Sequence, residues 1–225
     1  METNILNKLS KTMQIAPEFV VREYWEMVIL DELGRSNFKN QLIFKGGTSL
    51  RLGYNSPRFS EDLDFDLNKK LLFAEFEKTI NKIIEKYPEL SLKDLAEKYN
   101  TLLAQISIKE ENLARAFSIK IEISKRYIRD KKYSSPKLLV SPMTSKQVLL
   151  NTAKLENIKK EKLNALGTRK QPRDLFDLWY IAQLKREVWQ CPKHSFTELE
   201  LKKELSKFLP NNYLKIIDEL VFNKK

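Results

Sequence analysis

Apolar residues recur along this chain at two spacings, and the change from one to the other outlines its elements. Residues 17–33 carry Val20, Val21, Tyr24, Met27 and Val28 at helical spacing, which predicts an amphipathic helix with Gly34 as its C-cap. Gln41–Phe44 is a short apolar run that predicts a buried strand, ended by Gly46-Gly47, with a short helix over Thr48–Leu52 and a loop through Pro57. In 61–67, Leu63, Phe65 and Leu67 alternate with Asp62, Asp64 and Asp66, the two-residue period of a strand with one buried face. Helical spacing returns over 69–87, through Phe76, Ile80 and Ile83, and stops before Pro88. Ser91 with Asp94 suggests a cap for a shorter helix. Residues 102–109 and 116–124 read as paired strands, and the basic connector KRYIRDKKYSSPK (125–137) leads to a short strand at 138–140.

Beyond this point the pattern reads as helical. Thr144 with Gln147 forms a capping-box pattern for a long helix to about Leu166. Pro172 suits the first turn of a helix over 173–186, Ser195 with Glu198 suggests another box opening 196–208, and a last helix is expected near 212–222. Strands over the first 140 residues and helices afterwards define an α+β chain, with a sheet portion at 1–140 and a helical portion at 141–225.

Composition narrows the chemistry. The 225 residues are 42% hydrophobic with 12 Phe and 8 Tyr, enough for a real core. Lys and Arg number 41 against 30 Asp and Glu, so a net charge of +11 favours an anionic partner, nucleic acid first. A single cysteine, Cys191, excludes an internal disulfide, and a single histidine, His194, gives little support to a zinc site or a histidine triad. The N-terminal stretch has no signal-peptide core and no run is long enough to span a membrane, so a cytoplasmic protein without membrane attachment is expected.

Against that positive background, three aspartates on one strand face stand out, because like charges in a row repel. Residues two apart on a strand face are roughly 6.5–7 Å apart, so Asp62 and Asp64 can hold metal between or beside them, whereas Asp66 falls to an outer or solvated position. The alternative is a solvated acidic strand face. Just upstream, FKGGTSL (44–50) joins a strand to a helical turn. Gly46 and Gly47 permit close backbone approach, and the amides and hydroxyls of Thr48 and Ser49 could meet phosphate oxygens. It matches neither the Walker nor the dinucleotide glycine pattern, and taken alone it could be an ordinary turn. A phosphate cradle followed by a D-x-D strand is more specific than either part.

FKGGTSLRLGYNSPRFSEDLDFDL (44–67), SIKIEIS (118–124) and EKLNALGTRKQPRDLFDLW (161–179) together resemble, in order, the motifs of the nucleotidyltransferase AbiEii/AbiGii toxin family. These are the toxins of type IV toxin–antitoxin pairs, within the DNA polymerase β-like nucleotidyltransferase superfamily. The resemblance implies a polymerase β-like core with a small mixed sheet at 1–140, and a helical portion at 141–225 that completes the cleft. It implies Asp62 and Asp64 as ligands of Mg²⁺ (or Mn²⁺), Glu122 at the place of a third acid, and Gly46, Gly47, Thr48 and Ser49 around the triphosphate of an NTP. Lys162 corresponds to a phosphate-contacting lysine, and Asp174 to a functional acid that positions Lys162 or the acceptor. Arg58 is placed to bind phosphate or to pair with an aspartate, and Lys45 is similarly placed.

The implied activity is transfer of NMP to an acceptor hydroxyl, RNA and especially a tRNA 3′ end, with release of pyrophosphate and a cognate antitoxin as partner. The basic stretches 125–137 and 154–173, with Tyr127 and Tyr133 interleaved, fit an acceptor-binding rim. Two other readings stay open: a nucleotidyltransferase that modifies a protein or a small molecule, and a non-catalytic nucleic-acid-binding module. Trp179 and Tyr180 read as core.

Overall fold

The computed structural model describes residues 1–221, so residue 222 of the expected last helix and the end of the 141–225 portion lie outside it. One mixed sheet of seven strands organises the chain. Its strands are β1 (Leu42–Lys45), β2 (Asp62–Leu67), β3 (Leu90–Glu97), β4 (Thr101–Ile108), β5 (Phe117–Tyr127), β6 (Ser134–Leu139) and β7 (Val148–Ala153), in the spatial order β3-β4-β5-β2-β1-β7-β6. At its centre β1 and β2 run antiparallel, while β2 pairs in parallel with β5 and β1 in parallel with β7. Register sorts the side chains: Lys45 faces Asp64 across β1–β2, and Asp62, Asp64 and Asp66 face Lys120, Glu122 and Ser124 across β2–β5. One sheet face is therefore polar in its middle.

The other face carries Phe44, Leu63, Phe65, Ile121 and Ile123, all buried. It packs against α2 (Pro17–Gly34) and α4 (Phe73–Lys86), whose inward residues include Val21, Val28, Phe76 and Ile80. The preceding helix α1 (Thr3–Met13), for which the sequence reading has no counterpart, lays Leu6 on the same core. Helix α3 (Gly46–Tyr54) follows β1 directly, starting two residues earlier than its spacing suggests. On the polar side, α5 (Leu155–Thr168) and α6 (Pro172–Leu184) cover β1 and β7 through Ile43, Ala153, Ile158 and Ile181. Helices α7 (Glu198–Phe208) and α8 (Ile217–Leu220) then pack on α6 around Phe176, Leu201 and Leu205.

Four expected elements differ. Residues 90–97 form an edge strand rather than a helix capped by Ser91, because a bulge between Leu92 and Asp94 breaks the alternation and returns Leu95 to the face of Leu90. The long helix from Thr144 gives way to β7 followed by α5. In VLLNTA, Val148, Leu150 and Thr152 point into the core, and β1 and β6 satisfy the backbone on both sides. The sheet thus takes a strand from beyond residue 140. The capping box near 195 is built by Thr197 and Glu200, two residues further on, and the last helix is a 3₁₀ turn over 211–216 followed by α8.

Candidate active site

The site begins where β1 runs into α3. Gly46 has φ +80, a left-handed backbone value, and a Cβ there would lie 2.4 Å from Asp64 Oδ2. Only glycine lets the turn ride directly over that carboxylate. A Cβ on Gly47 would lie 2.4 Å from Arg58 Nη2 and 2.7 Å from Ser60 Oγ. The Gly-Gly pair is therefore wedged between the D-x-D strand and Arg58. Gly46, Gly47 and Thr48 form the first turn of α3, whose amides have no acceptor within the helix and favour an anion.

The hydroxyls expected to join them are engaged elsewhere. Thr48 Oγ1 donates to the carbonyl of Asp62, and Ser49 Oγ donates to the carbonyl of Gly46 at 2.9 Å, with both residues fully buried. These hydroxyls brace the turn, and only the backbone amides are left to meet phosphate.

Asp62 and Asp64 stand on the polar face as their alternation predicts. Burial and the adjacent Asp62 push the Asp64 carboxyl up to about 6, against the opposing pull of Lys162. Across the strand pair lie Glu122 and Lys120, whose ammonium is 3.1 Å from Glu122 Oε2 and 3.7 Å from Asp62 Oδ2. Among the described residues no three acidic, histidine or cysteine side chains converge as a ready metal cage. Two neighbouring carboxylates, one of them desolvated and strained by its neighbour, nonetheless fit Mg²⁺ or Mn²⁺. Such an ion takes one or two protein carboxylates and completes its shell with water and substrate phosphates. Asp62 and Asp64 are the residues that would hold it.

Asp66 is not a solvated residue. It is buried, with Lys45 Nζ at 2.8 Å and the Tyr133 hydroxyl donating to it at 3.0 Å. Tyr133 also donates to Glu161 at 2.8 Å, and Lys45 reaches Glu161 at 3.2 Å. Burial alone would depress the Lys45 ammonium, but Glu161 and Asp66 outweigh it and hold it above the usual lysine range. Lys45, expected beside the nucleotide, and Tyr133, expected in the stacking rim, are instead fastened into one network that ties the basic connector and α5 to the sheet.

Behind the glycine turn stands a second network, supplied by α5 and α6. Lys162 is buried, with Nζ 2.9 Å from Asp174 Oδ1 and 2.6 Å from Asp177 Oδ2. Asp174 also accepts from Arg169 at 3.1 and 3.2 Å. Asp177 accepts from Arg58 at 2.7 and 2.8 Å, a bidentate pair in which both side chains are 1% exposed. Burial would raise the Asp177 carboxyl, yet Arg58 and Lys162 more than offset it and keep it below the ordinary carboxylate range. Of the two parts open to Arg58, the structure gives it the aspartate pair. Lys162 and Asp174 are brought together as their motifs suggest.

Glu122 is paired with Lys120, its neighbour on the polar strand face, which is the alternative its position in the strand leaves open. Sequence reasoning missed two charged residues of this cleft: Arg169 pairs with Asp174, and Arg173 approaches Glu61 at 3.5 Å. Their signal was weak because lysines and arginines are abundant here and only helix packing singles them out. Trp179 and Tyr180 are core, with Trp179 Nε1 donating to Glu219 and the Tyr180 hydroxyl donating to the carbonyl of Tyr54. Beyond Tyr133, the connector and β1 enclose a cavity of about 580 Å³ lined by Lys69, Arg129 and Lys131 among others. Among the described residues no helix is long and apolar enough to cross a membrane.

The fold and the motifs have counterparts among known proteins. The family model for the nucleotidyl transferase AbiEii toxin of type IV toxin–antitoxin systems matches residues 28–209. The solved structure of JHP933 from Helicobacter pylori is 25% identical, with a TM-score of 0.58 over 92% of this chain and 78% of that one. The nucleotidyltransferase toxin MenT4 from Mycobacterium tuberculosis shares the fold at 17% identity, with a TM-score of 0.59 over 91% of this chain and 69% of its own. No curated protein matches. The glycine turn over a paired-carboxylate strand thus sits inside the matched span, and the chain belongs to the nucleotidyl transferase AbiEii toxin family, as a nucleotidyltransferase enzyme.

Proposed function

We propose that this toxin-family enzyme is metal-dependent and transfers NMP from an NTP to a hydroxyl of RNA, the 3′ end of a tRNA in particular. The observation that carries the reading is the juxtaposition of Gly46 with Asp64: anion-seeking amides of α3 lie directly above the D-x-D carboxylates. In that arrangement the Gly46–Thr48 amides bind triphosphate oxygens, and Asp62 and Asp64 seat Mg²⁺ or Mn²⁺. The bound ion supplies charge neutralisation to the triphosphate. Lys162, held by Asp174 and Asp177 and near enough to Asp64 to lower its carboxyl, adds fixed positive charge beside the D-x-D strand. The acceptor oxygen forms the new bond to the α-phosphorus, the bond to the bridging oxygen breaks, pyrophosphate leaves and the hydroxyl proton passes to solvent. Glu122 faces Asp64 across the strands and serves as an additional ligand once the ion is in place.

The same reading keeps the division near residue 140 except that β7 belongs to the core sheet, and makes α5 and α6 the part that closes the cleft, since Lys162 and Asp174 come from them. Support for RNA comes from the net charge of +11 and from the Lys69, Arg129 and Lys131 cavity beside the Tyr133 network. In this reading the enzyme acts in the cytoplasm with a cognate antitoxin as partner, which the family's place in toxin–antitoxin systems supports.

The test is incubation with Mg²⁺, each α-labelled NTP, and total tRNA or cell protein, in parallel with Asp62→Asn, Asp64→Asn and EDTA. Label in tRNA that depends on both aspartates and on metal is the expected result. Label in protein would move the acceptor to a side chain, and RNA binding without any label would leave a non-catalytic binding module.

A further inference from the structure

Lys120 faces Asp62 directly across the β2–β5 pair and precedes by two residues Glu122, which faces Asp64. Its ammonium sits 3.1 Å from Glu122 and 3.7 Å from Asp62, so the acidic face already contains a cation supplied by the chain itself. The three side chains are 34–38% exposed, open enough for exchange with solvent ions. Lys120 also explains why the carboxylates do not converge on one point among the described residues. Two of them are drawn toward the lysine, while Asp64 stays under Gly46.

We propose that Lys120 is a positioning residue that occupies the metal seat as a built-in counter-ion and must yield it when a divalent cation enters. This inference rests on the metal-dependent reading given above. A divalent ion takes carboxylate oxygens at about 2.0–2.1 Å in near-octahedral geometry. An ammonium hydrogen-bonded to Glu122 and close to Asp62 competes for those oxygens and repels the incoming charge. Lysine suits such a part, being a compact point charge on a flexible four-carbon stem that can swing clear. Lys120 therefore lowers metal affinity while holding Asp62 and Glu122 apart from each other's repulsion in the metal-free protein.

The experiment is titration of the full chain with Mn²⁺ alone, without nucleotide, reading free ion by electron paramagnetic resonance. Lys120→Met should bind Mn²⁺ about five- to tenfold more tightly at low ionic strength, with the difference shrinking as salt screens the charge. Lys120→Arg, which keeps the charge and adds a two-armed grip, should bind Mn²⁺ about twofold or more weakly than wild type. Lys86→Met, which removes a lysine paired to Glu32 at 2.6 Å on a distant surface, should leave Mn²⁺ affinity unchanged. Mn²⁺ uptake by wild type that is lost in Asp64→Asn but unaltered or weakened in Lys120→Met would overturn this inference and leave the metal-dependent reading standing. No Mn²⁺ uptake by wild type or by Lys120→Met would overturn this inference, while the metal-dependent reading, in which substrate phosphates complete the ion's shell, stands or falls by the labelling test. Should Lys120→Met fail to fold, Lys120→Arg decides: affinity equal to wild type or higher overturns the proposal.

Discussion

Removing the Asp177 carboxylate, as in Asp177→Ala, should unfold this protein more readily than any change at the D-x-D strand. Asp177 accepts both arms of Arg58 and the Lys162 ammonium within 2.6–2.8 Å, and all three side chains are buried. The substitution leaves the Arg58 guanidinium, 1% exposed, with the carbonyl of Phe59, at 2.8 Å, as its remaining acceptor among the described residues. Breaking a buried pair by removing one partner costs about 3–5 kcal/mol, because the remaining charge is neither solvated nor paired. For a chain of this size each kcal/mol lowers Tm by about 2–4 °C, so a fall of roughly 6–20 °C is expected. Urea and thermal melts of wild type, Asp177→Ala and Arg58→Met/Asp177→Leu provide the measurement. The double variant removes both charges and should recover much of the loss. The pH dependence has a fixed sign. Because the folded-state pKa of Asp177 is lowered, its stabilisation is present above the ordinary aspartate value and disappears as pH falls below about 4 toward the folded value. Wild type and Asp177→Ala should therefore converge in stability on acidification. A loss under about 1 kcal/mol at pH 7, or a double variant less stable than the single, would refute the reasoning, since an exposed pair behaves that way.

Asp64→Asn should abolish transfer yet stabilise the metal-free protein by ~1–2 kcal/mol at pH 8. Burial and Asp62 push the wild-type Asp64 carboxyl up to about 6, so the cost of its charge builds between about pH 4 and pH 6 and levels off above that, and the two melts should merge near pH 4. Glu26→Gln should stabilise the protein by ~1–2 kcal/mol at pH 8 and by less at pH 5. Burial and Glu23 hold the Glu26 carboxyl well above its ordinary value, and its Oε1 has no hydrogen-bond partner among the described residues, so thermal melts across pH should show the gain growing with pH. Gly46→Ala should cost ~1–3 kcal/mol and remove transfer activity, because a Cβ at φ +80 collides with the Asp64 carboxylate; an active, stable Gly46→Ala would show that the turn does not ride on Asp64.

The central strands and their chemistry could be read directly, because a half-buried strand writes its two faces into alternate positions. Asp62 and Asp64 against Leu63 and Phe65 are the clearest case. The Lys162–Asp174 pair was approachable only through the family motif, since the two residues lie on different helices and spacing alone reads Lys162 as one more solvated lysine. Other features depend on contacts between residues far apart in the chain. Arg58 meets Asp177 at a separation of 119 residues, and Tyr133 meets Asp66 at 67, and local pattern carries no trace of either. Thr48 and Ser49 look like phosphate donors in sequence, yet burial turns their hydroxyls inward to backbone carbonyls. The edge strand at 90–97 was hidden by its bulge, and β7 by a run of apolar residues that suits a buried strand or a buried helix equally.

The lateness in the chain of the partners of β1 and Arg58 bears on how a cell survives making such a protein. The strand on the far side of β1 from β2, β7, is not complete until residue 153, and the carboxylate that locks Arg58 against the glycine turn arrives only at Asp177. A growing chain emerges N-terminus first, and units fold as their parts become available. A nascent or truncated toxin that stops short of α6 thus lacks the groups that shape its own cleft, so the nucleotidyltransferase site comes into being only after α6 has been made.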